Sequence, residues 1–250
     1  MACFLGSSIL LAQINEEEHT RAFVYGLNFN TNGGTIGGLN LRFAQIVRPR
    51  WYRSFGLEAV AIKHPQEKAT TSQLSSSRFI FAKRNYLYSI RPLYGFDYLI
   101  FRKAPEESVQ ITANFAVGPS FGIEVPYYIV IEKDVQVGNP PQTKKVQETK
   151  AYTNDRDDPW ARIQSVSGLF DGLGQAKIIP ALFLKAGVSL EFGEFRNNLT
   201  GIEVGFTSEL FSRAPNILAP ESNPATIGTP LKNKQYMFGA YFTIFLGSRK

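Results

Sequence analysis

The sequence predicts an eight-stranded, antiparallel, up-and-down β-barrel that spans a membrane, with long extracellular loops. Eight stretches alternate apolar residues with polar or small ones, and the clearest runs from Tyr236 to Leu246. Side chains in a strand point alternately to opposite faces, so Phe238 and Phe242 share one face while Tyr241 and Thr243 share the other. The other two observations concern where the charges fall within the strands and how long the loops are.

The eight predicted strands follow one another along the chain with turn residues between them. In chain order they cover 20–30, 36–48, 51–63, 85–101, 108–120, 180–192, 199–211 and 236–246. Each is close to or longer than the roughly 9–11 residues that a tilted strand needs to cross a bilayer. Val60 and Ile62 blur the alternation at the end of the third strand. Pro92 predicts a bulge or break in the fourth strand, because proline cannot donate to a ladder.

The charges that interrupt the strands share their face with glycine and small polar residues. This set, predicted to point into the lumen, is Arg42, Glu58, Arg91, Lys185, Glu191, Glu203 and Glu209. An eight-stranded barrel has room inside only for side chains, so charges of both signs are expected to pair and plug it. We expect Arg42 or Arg91 to face Glu58, and Lys185 to face one of the other three glutamates. The alternative is a soluble lipocalin-like barrel, whose outer face would carry the charge.

Loop lengths provide an independent indication of a membrane barrel. The connections at 49–50, 102–107 and 193–198 are short and belong on the periplasmic side if the N-terminus starts there. The other side carries a tight turn at 32–34 and three long loops at 64–84, 121–178 and 212–233. Short periplasmic turns with longer outer loops are typical of bacterial outer-membrane barrels. Within the longest loop, we expect a strand extension near 127–131 and a short amphipathic helix over 165–175.

Composition and the N-terminus narrow the possible locations and partners. Residues 1–12 predict a signal peptide that lacks the usual positive start, which leaves 13–250 as a single barrel domain. The chain contains no uninterrupted apolar run of about 18 residues, so no transmembrane helix is predicted. The net charge is +6, but the lysines and arginines are scattered through loops and form no basic stripe, which argues against nucleic-acid binding. Outer-membrane lipid and the anionic headgroups of lipopolysaccharide are therefore the expected contacts, together with a protein partner in the outer membrane.

Several local patterns carry a resemblance to a known group of proteins. They are Ile62-Lys63-His64-Pro65-Gln66-Glu67, the segment from Gly118-Pro119-Ser120 to Pro126-Tyr127-Tyr128, Lys177-Ile178-Ile179-Pro180 with Lys185-Ala186-Gly187, and Asn233-Lys234-Gln235. With these patterns the chain resembles small outer-membrane β-barrels of the Bacteroidota, which are Gram-negative bacteria. The resemblance covers roughly 20–250 and implies the fold and the outer-membrane location. It implies no established biochemical activity.

The sequence gives little support for catalysis. Small barrel enzymes that modify lipid need a base beside a serine or an acidic partner, and the only histidines are His19 and His64. A Ser/His/Glu site can be drawn from His64, Glu67 and the serines at 72 and 75–77, but no spacing constrains it. We expect Lys63, His64 and Glu67 to form a rim contact instead. With no HExxH motif and no His/Cys cluster, we expect no enzyme, metal or cofactor.

The functional hypothesis is a plugged barrel with a structural, adaptor or surface-interaction role, and the alternatives are a narrow passive channel and a lipid-modifying enzyme.

Overall fold

The computed structural model describes residues 20–33, 37–102, 109–138, 142–153, 162–168, 171–192, 198–219 and 232–249. The predicted signal peptide at 1–12 and His19 lie outside these ranges. The strands are β1 Arg21–Asn30, β2 Gly38–Arg48, β3 Trp51–Ile62, β4 Ala69–Thr71, β5 Arg78–Ile80, β6 Asn85–Phe101, β7 Gln110–Pro126, β8 Tyr128–Val137, β9 Gln142–Ala151, β10 Ile163–Val166, β11 Lys177–Phe192, β12 Asn198–Phe211 and β13 Tyr236–Arg249.

Eight of these strands close into a barrel. Their neighbour order is β1-β13-β12-β11-β7-β6-β3-β2, and every neighbouring pair is antiparallel. Each barrel strand therefore pairs with the barrel strands before and after it in the chain, and β1 closes against β13. The predicted eight-stranded up-and-down barrel is confirmed. Closure leaves no free sheet edge in the barrel wall.

Two details of the wall differ from the prediction. The segment 121–126 was expected to begin the long loop, but it extends β7 and pairs with the start of β11, where Lys177 lies opposite Glu124. Pro92 neither breaks β6 nor shifts its register against β7. Pairing resumes at Tyr94↔Val117 in the same register as Ile90↔Phe121, although the three residues between are missing from the ladder. Gly118 allows this approach, because a Cβ there would lie 2.0 Å from the carbonyl oxygen of Pro92.

The outer surface of the barrel is apolar on every strand. Large hydrophobic side chains exposed on it include Phe23, Leu27, Leu39, Leu41, Phe55, Leu57, Tyr94, Phe96, Phe115, Phe121, Leu182, Leu184, Val204, Phe206, Phe238 and Ile244. The residues that alternate with this outward-facing set along each strand face inward and are more buried, as the predicted alternation requires. Val60 and Ile62, which blurred the pattern, also point inward, and each is 3% exposed.

The outer loops contain ordered structure beyond the barrel. Strands β10, β8 and β9 form a three-stranded sheet in that order, and β4 pairs with β5. The expected strand near 127–131 is confirmed as part of β8. The expected helix over 165–175 is wrong: its first residues end β10, and Leu173–Gln175 forms a single 3-10 turn. Within the described ranges, no helix has the length and apolar character needed to cross a membrane.

A pair of glycines makes room for a large inward-facing ring. Gly187 of β11 and Gly205 of β12 are cross-strand partners, and Tyr241 of β13 lies over them. A Cβ on Gly187 would lie 2.2 Å from the Tyr241 hydroxyl and 2.6 Å from the carbonyl oxygen of Val204. The absence of side chains at this point therefore allows an aromatic ring to fill the lumen.

Gly187→Ala is expected to destabilise the barrel by about 1–3 kcal/mol, because both the ring and a backbone carbonyl must move. The measurement is the temperature at which the detergent-folded protein converts to its unfolded form on a gel. Gly174→Ala is the matched control, since nothing lies within 4 Å of a Cβ there. Equal transition temperatures for the two variants would contradict the packing described here.

Candidate functional site

The middle of the lumen holds a network of buried ion pairs. Lys185 Nζ lies 2.5 Å from Glu58 Oε1 and 3.0 Å from Glu203 Oε1. Arg42 Nη1 lies 2.9 Å from Glu203 Oε2, and the Tyr241 hydroxyl donates to Glu203 Oε1 at 2.8 Å. These side chains come from β2, β3, β11, β12 and β13, so the contacts cross the lumen as well as joining neighbours.

A second group extends the network toward the outer end. Arg91 Nη2 lies 2.6 Å from Glu209 Oε2, and Arg91 Nη1 lies 3.7 Å from Glu58 Oε2. Glu209 Oε1 also accepts hydrogen bonds from Ser89 and Ser120. Through Glu58, which contacts both Arg91 and Lys185, the two groups form one continuous network. Arg91 also stacks over the ring of Phe183, with its Cζ 4.1 Å from the ring centroid.

The structure brings six of the seven predicted lumen charges into this network. Of the two arginines considered as partners of Glu58, Arg91 is the one that contacts it, and Arg42 pairs with Glu203. Lys185 contacts Glu203, which was one of its three expected partners. Glu191 lies apart from the other six. It pairs with Arg249 near the end of the barrel that carries the short connections.

An apolar cluster lies toward each end of the network. On the outer side, Val60, Ile62, Leu87, Ile179 and Phe211 pack with Ile217 and Leu218, which come from the loop after β12. At the other end, which carries the short connections, Val24, Leu199 and Phe245 form a smaller cluster. Burying ion pairs between apolar layers lowers the local dielectric, which strengthens each pair and makes any unpaired charge more costly.

Several polar residues of the lumen were not assigned to the charge network from the sequence. Asn40 donates to Glu58 at 2.7 Å, Asn114 donates to Glu203 at 3.0 Å, and Ser54 donates to Asp97 at 3.2 Å. The signal for Asp97 is its position six residues after Arg91, because an even spacing in a strand places both side chains on one face. A cavity of about 30 Å³ lies among these residues, which is room for one or two water molecules.

Of the three residues predicted to form a rim contact, His64 and Glu67 contact other residues of the outer loops and only Lys63 is exposed. His64 is 7% exposed, its Nε2 lies 3.2 Å from the carbonyl oxygen of Lys232, and its Nδ1 accepts from the Gln66 amide at 3.2 Å. Glu67 forms an ion pair with the buried Lys83 at 3.0 Å, and Lys63 is exposed. Burial holds the pKa of His64 below its ordinary value, and burial likewise lowers the pKa of Lys83. His64 therefore joins two outer loops as a neutral side chain.

The serines near His64 in sequence also have structural contacts. Ser72 donates to the carbonyl oxygen of Ile163, and Ser75 donates to that of Gln164. These bonds attach the β4–β5 loop to β10. Both ring nitrogens of His64 and both serine hydroxyls are thus already hydrogen-bonded within the outer loops.

A buried aromatic and aliphatic cluster supports the outer sheet. Phe79, Tyr127, Ile129, Ile131, Tyr152 and Ile163 form this cluster, which we call the outer core. The Tyr127 hydroxyl accepts a hydrogen bond from the Ile80 amide at 3.0 Å. Beyond the outer core, the β8–β9 hairpin extends with both faces exposed, and β9 forms an edge of its sheet.

Among the described residues, no group of three or more histidine, cysteine, aspartate or glutamate side chains is arranged to hold a metal ion. No family model matches the chain, and a search of curated proteins finds no match.

Solved structures give matches over most of the chain at low sequence identity. The attachment invasion locus protein Ail of Yersinia pestis, crystallised with the heparin analogue sucrose octasulfate, is 9% identical with a TM-score of 0.40. That match covers 93% of this chain and 100% of Ail. Neisserial surface protein A is 10% identical with a TM-score of 0.35, covering 93% of this chain and 96% of that one. Similarity at this level does not identify a function.

Arg91→Ala is expected to lower the free energy of unfolding by about 3 kcal/mol, at the lower end of the range for breaking a buried ion pair. The lower end applies because Glu209 keeps its two serine donors, and Glu58 keeps Lys185 and Asn40. Thermal unfolding in detergent measures the effect. The control is Arg162→Ala, because Arg162 is 55% exposed and 3.9 Å from Asp134. We expect the control to change stability by less than about 0.5 kcal/mol.

The double variant Arg91→Met with Glu209→Gln checks that the loss comes from an unpaired charge. It is expected to recover part of the stability lost in Arg91→Ala, since a neutral amide replaces the orphaned carboxylate. A double variant less stable than Arg91→Ala would argue against ion pairing as the cause.

The outer loops are expected to lose stability as the pH falls below about 6.5, the ordinary pKa of histidine. The pKa of His64 is lowered by burial, so the unfolded chain binds more protons than the folded chain between the two pKa values. Limited proteolysis of the outer loops at pH 8 and pH 5 measures this. His64→Gln is expected to reduce the difference, whereas His19→Gln, which changes the other histidine, is expected to retain it. An unchanged pH dependence in His64→Gln would refute the assignment.

Proposed function

We propose that the protein is an outer-membrane β-barrel with a side-chain-plugged lumen that presents an ordered outer-loop platform for surface or adaptor contacts. The observation that carries this proposal is the sidedness of the barrel. The charged side chains of the strand centres lie inside, and all of them except Asp97 form ion pairs, while apolar side chains cover the outside of all eight strands.

The sidedness supports a lipid environment. Soluble monomers rarely expose a contiguous apolar surface above a few hundred Å². Here the exposed hydrophobics continue around the whole wall, with Leu39 60% exposed and Phe206 58% exposed. A soluble lipocalin-like barrel requires the opposite arrangement. At the periplasmic end, Trp51 packs on Tyr98 with 4.9 Å between ring centroids, and aromatic residues of this kind are enriched at membrane interfaces.

The lumen contacts support a plug over an open channel. An ion that crosses the barrel must pass the outer apolar layer, separate paired charges such as Lys185 and Glu58, and then pass Phe245. Each step costs desolvation or the loss of a buried ion pair. The narrow passive channel remains the alternative, and it requires these pairs to exchange partners.

The outer sheet supports a role in surface contacts. Its β8–β9 hairpin projects from the outer core, and its exposed side chains include Val137, Lys144, Lys145 and Val146. An edge strand offers unpaired backbone groups, and lysines on such an edge prevent indiscriminate strand pairing. The same lysines suit anionic lipopolysaccharide headgroups, and the valines suit a protein partner in the outer membrane. The hydrogen bonds of His64 favour its structural role over a lipid-modifying site. Membership of the Bacteroidota group stays a prediction.

Site-specific photo-crosslinking in native outer membranes tests the platform. A crosslinker at Val137, which is 53% exposed on the hairpin, is expected to give a discrete adduct with protein or lipopolysaccharide. Phe101, which is 62% exposed at the other end of the barrel, is the matched position and is expected to give lipid adducts only. Identical adduct patterns at both positions would contradict a specific outer surface.

Planar-bilayer recording distinguishes the plug from the channel. The reconstituted protein is expected to give no stepwise conductance, and Arg91→Ala is expected to remain silent although it is less stable. Regular conductance steps from the unaltered protein would favour the channel and contradict the plug.

A further inference from the structure

The middle of the lumen contains one carboxylate more than it has bases to pair. Glu58, Glu203 and Glu209 each contact Arg42, Arg91 or Lys185. Asp97 is 6% exposed, and among the described residues its carboxylate accepts one hydrogen bond, from the Ser54 hydroxyl at 3.2 Å. With three bases and four carboxylates, this part of the lumen carries one uncompensated negative charge when all seven groups are ionised. A buried charge without a partner is strongly unfavourable.

Asp97 lines the small lumen cavity, and so does Asn114, whose amide oxygen has no hydrogen-bond donor among the described residues. The cavity of about 30 Å³ is lined by Asp97, Asn114, Ser54 and Glu203, together with Arg42 and Lys185. Asn114 is 8% exposed and uses its Nδ2 to donate to Glu203 at 3.0 Å. Its Oδ1 is fully buried and accepts no hydrogen bond from the described residues. Three residues with oxygen-bearing side chains, Asp97, Asn114 and Ser54, therefore line one cavity.

These oxygens suit a small, hard cation. Carboxylate and amide oxygens are the ligands of alkali and alkaline-earth ions, and the cavity volume matches one ion or one ion with a water. The charge balance favours a single positive charge over two. Arg42 and Lys185 also border the cavity, and their repulsion further disfavours a divalent ion.

We propose that the cavity bordered by Asp97, Asn114 and Ser54 is a binding site for one monovalent cation of sodium size. The ion neutralises Asp97 and accepts the unused lone pairs of Asn114 Oδ1. It completes the charge balance of the plug, so the barrel is most stable when folded in the presence of that ion.

Refolding from urea into detergent micelles, in either sodium chloride or choline chloride at equal ionic strength, tests the site. Choline is too large for the cavity, so it supplies screening without binding. The unaltered protein is expected to melt roughly 2–4 °C higher in sodium, with saturation as sodium is titrated at constant ionic strength. Equal melting temperatures in the two salts would overturn the proposal, including the case in which a proton neutralises Asp97.

Two variants separate the site from general salt effects. Asp97→Asn keeps an oxygen for Ser54 but removes the charge, so it is expected to melt at the same temperature in both salts. Asn114→Leu removes the amide oxygen and is expected to shift the sodium titration to higher concentration. Asp134→Asn, which removes an exposed carboxylate from the outer hairpin, is the matched control and is expected to keep the full sodium effect. If Asp97→Asn retained the sodium dependence, or failed to fold while Asn114→Leu titrated like the unaltered protein, the proposed site would be wrong.

Discussion

Closure of only eight strands is the constraint on which the rest of the structure depends. Such a barrel has an interior just wide enough for its own side chains, and strand periodicity sends every second residue there. The inward-facing side chains must therefore fill the lumen and find their hydrogen-bond and ion-pair partners among themselves. Glu58 is 0% exposed and Glu203 is 3% exposed, so neither has bulk water as a partner. Their contacts with Lys185, Arg42 and Arg91 follow from this confinement.

The same constraint explains where small and aromatic residues occur. Gly187 and Gly205 create the space that Tyr241 fills, and the Tyr241 hydroxyl donates a hydrogen bond to Glu203. At the outer end, the space is filled instead by residues from a loop, since Ile217 and Leu218 pack against Ile62 and Phe211. The wall, the network and the outer loops are thus coupled: the loop after β12 seals the lumen, and the outer core anchors the hairpin above it.

The strands of the barrel wall could be predicted from the sequence because period-two alternation is a property of each strand by itself. All eight strands, and the inward orientation of residues such as Arg91, follow from parity along a single strand. Which charges meet depends on barrel register and side-chain length, and for that reason Arg42 was found with Glu203 instead of Glu58. Asp97 was within reach of the parity argument, whereas its place beside Asn114 and a cavity required the closed barrel. The outer sheet was the least predictable part, because β8 packs through Ile129 and Ile131 against Phe79 and Ile163, which lie far from it in the sequence.

The most direct measurement is spin-label scanning along β13, with Cys3 replaced by serine and one cysteine introduced at a time. Accessibility to oxygen reports exposure to lipid, and accessibility to a water-soluble nickel reagent reports exposure to water. A lipid-facing wall around a packed lumen predicts high oxygen accessibility at Phe238, Phe242 and Leu246, and low accessibility to both reagents at Thr243 and Phe245. Nickel accessibility at Thr243 and Phe245 would show a water-filled lumen, and nickel accessibility at the three outward positions would show a barrel that lies in water.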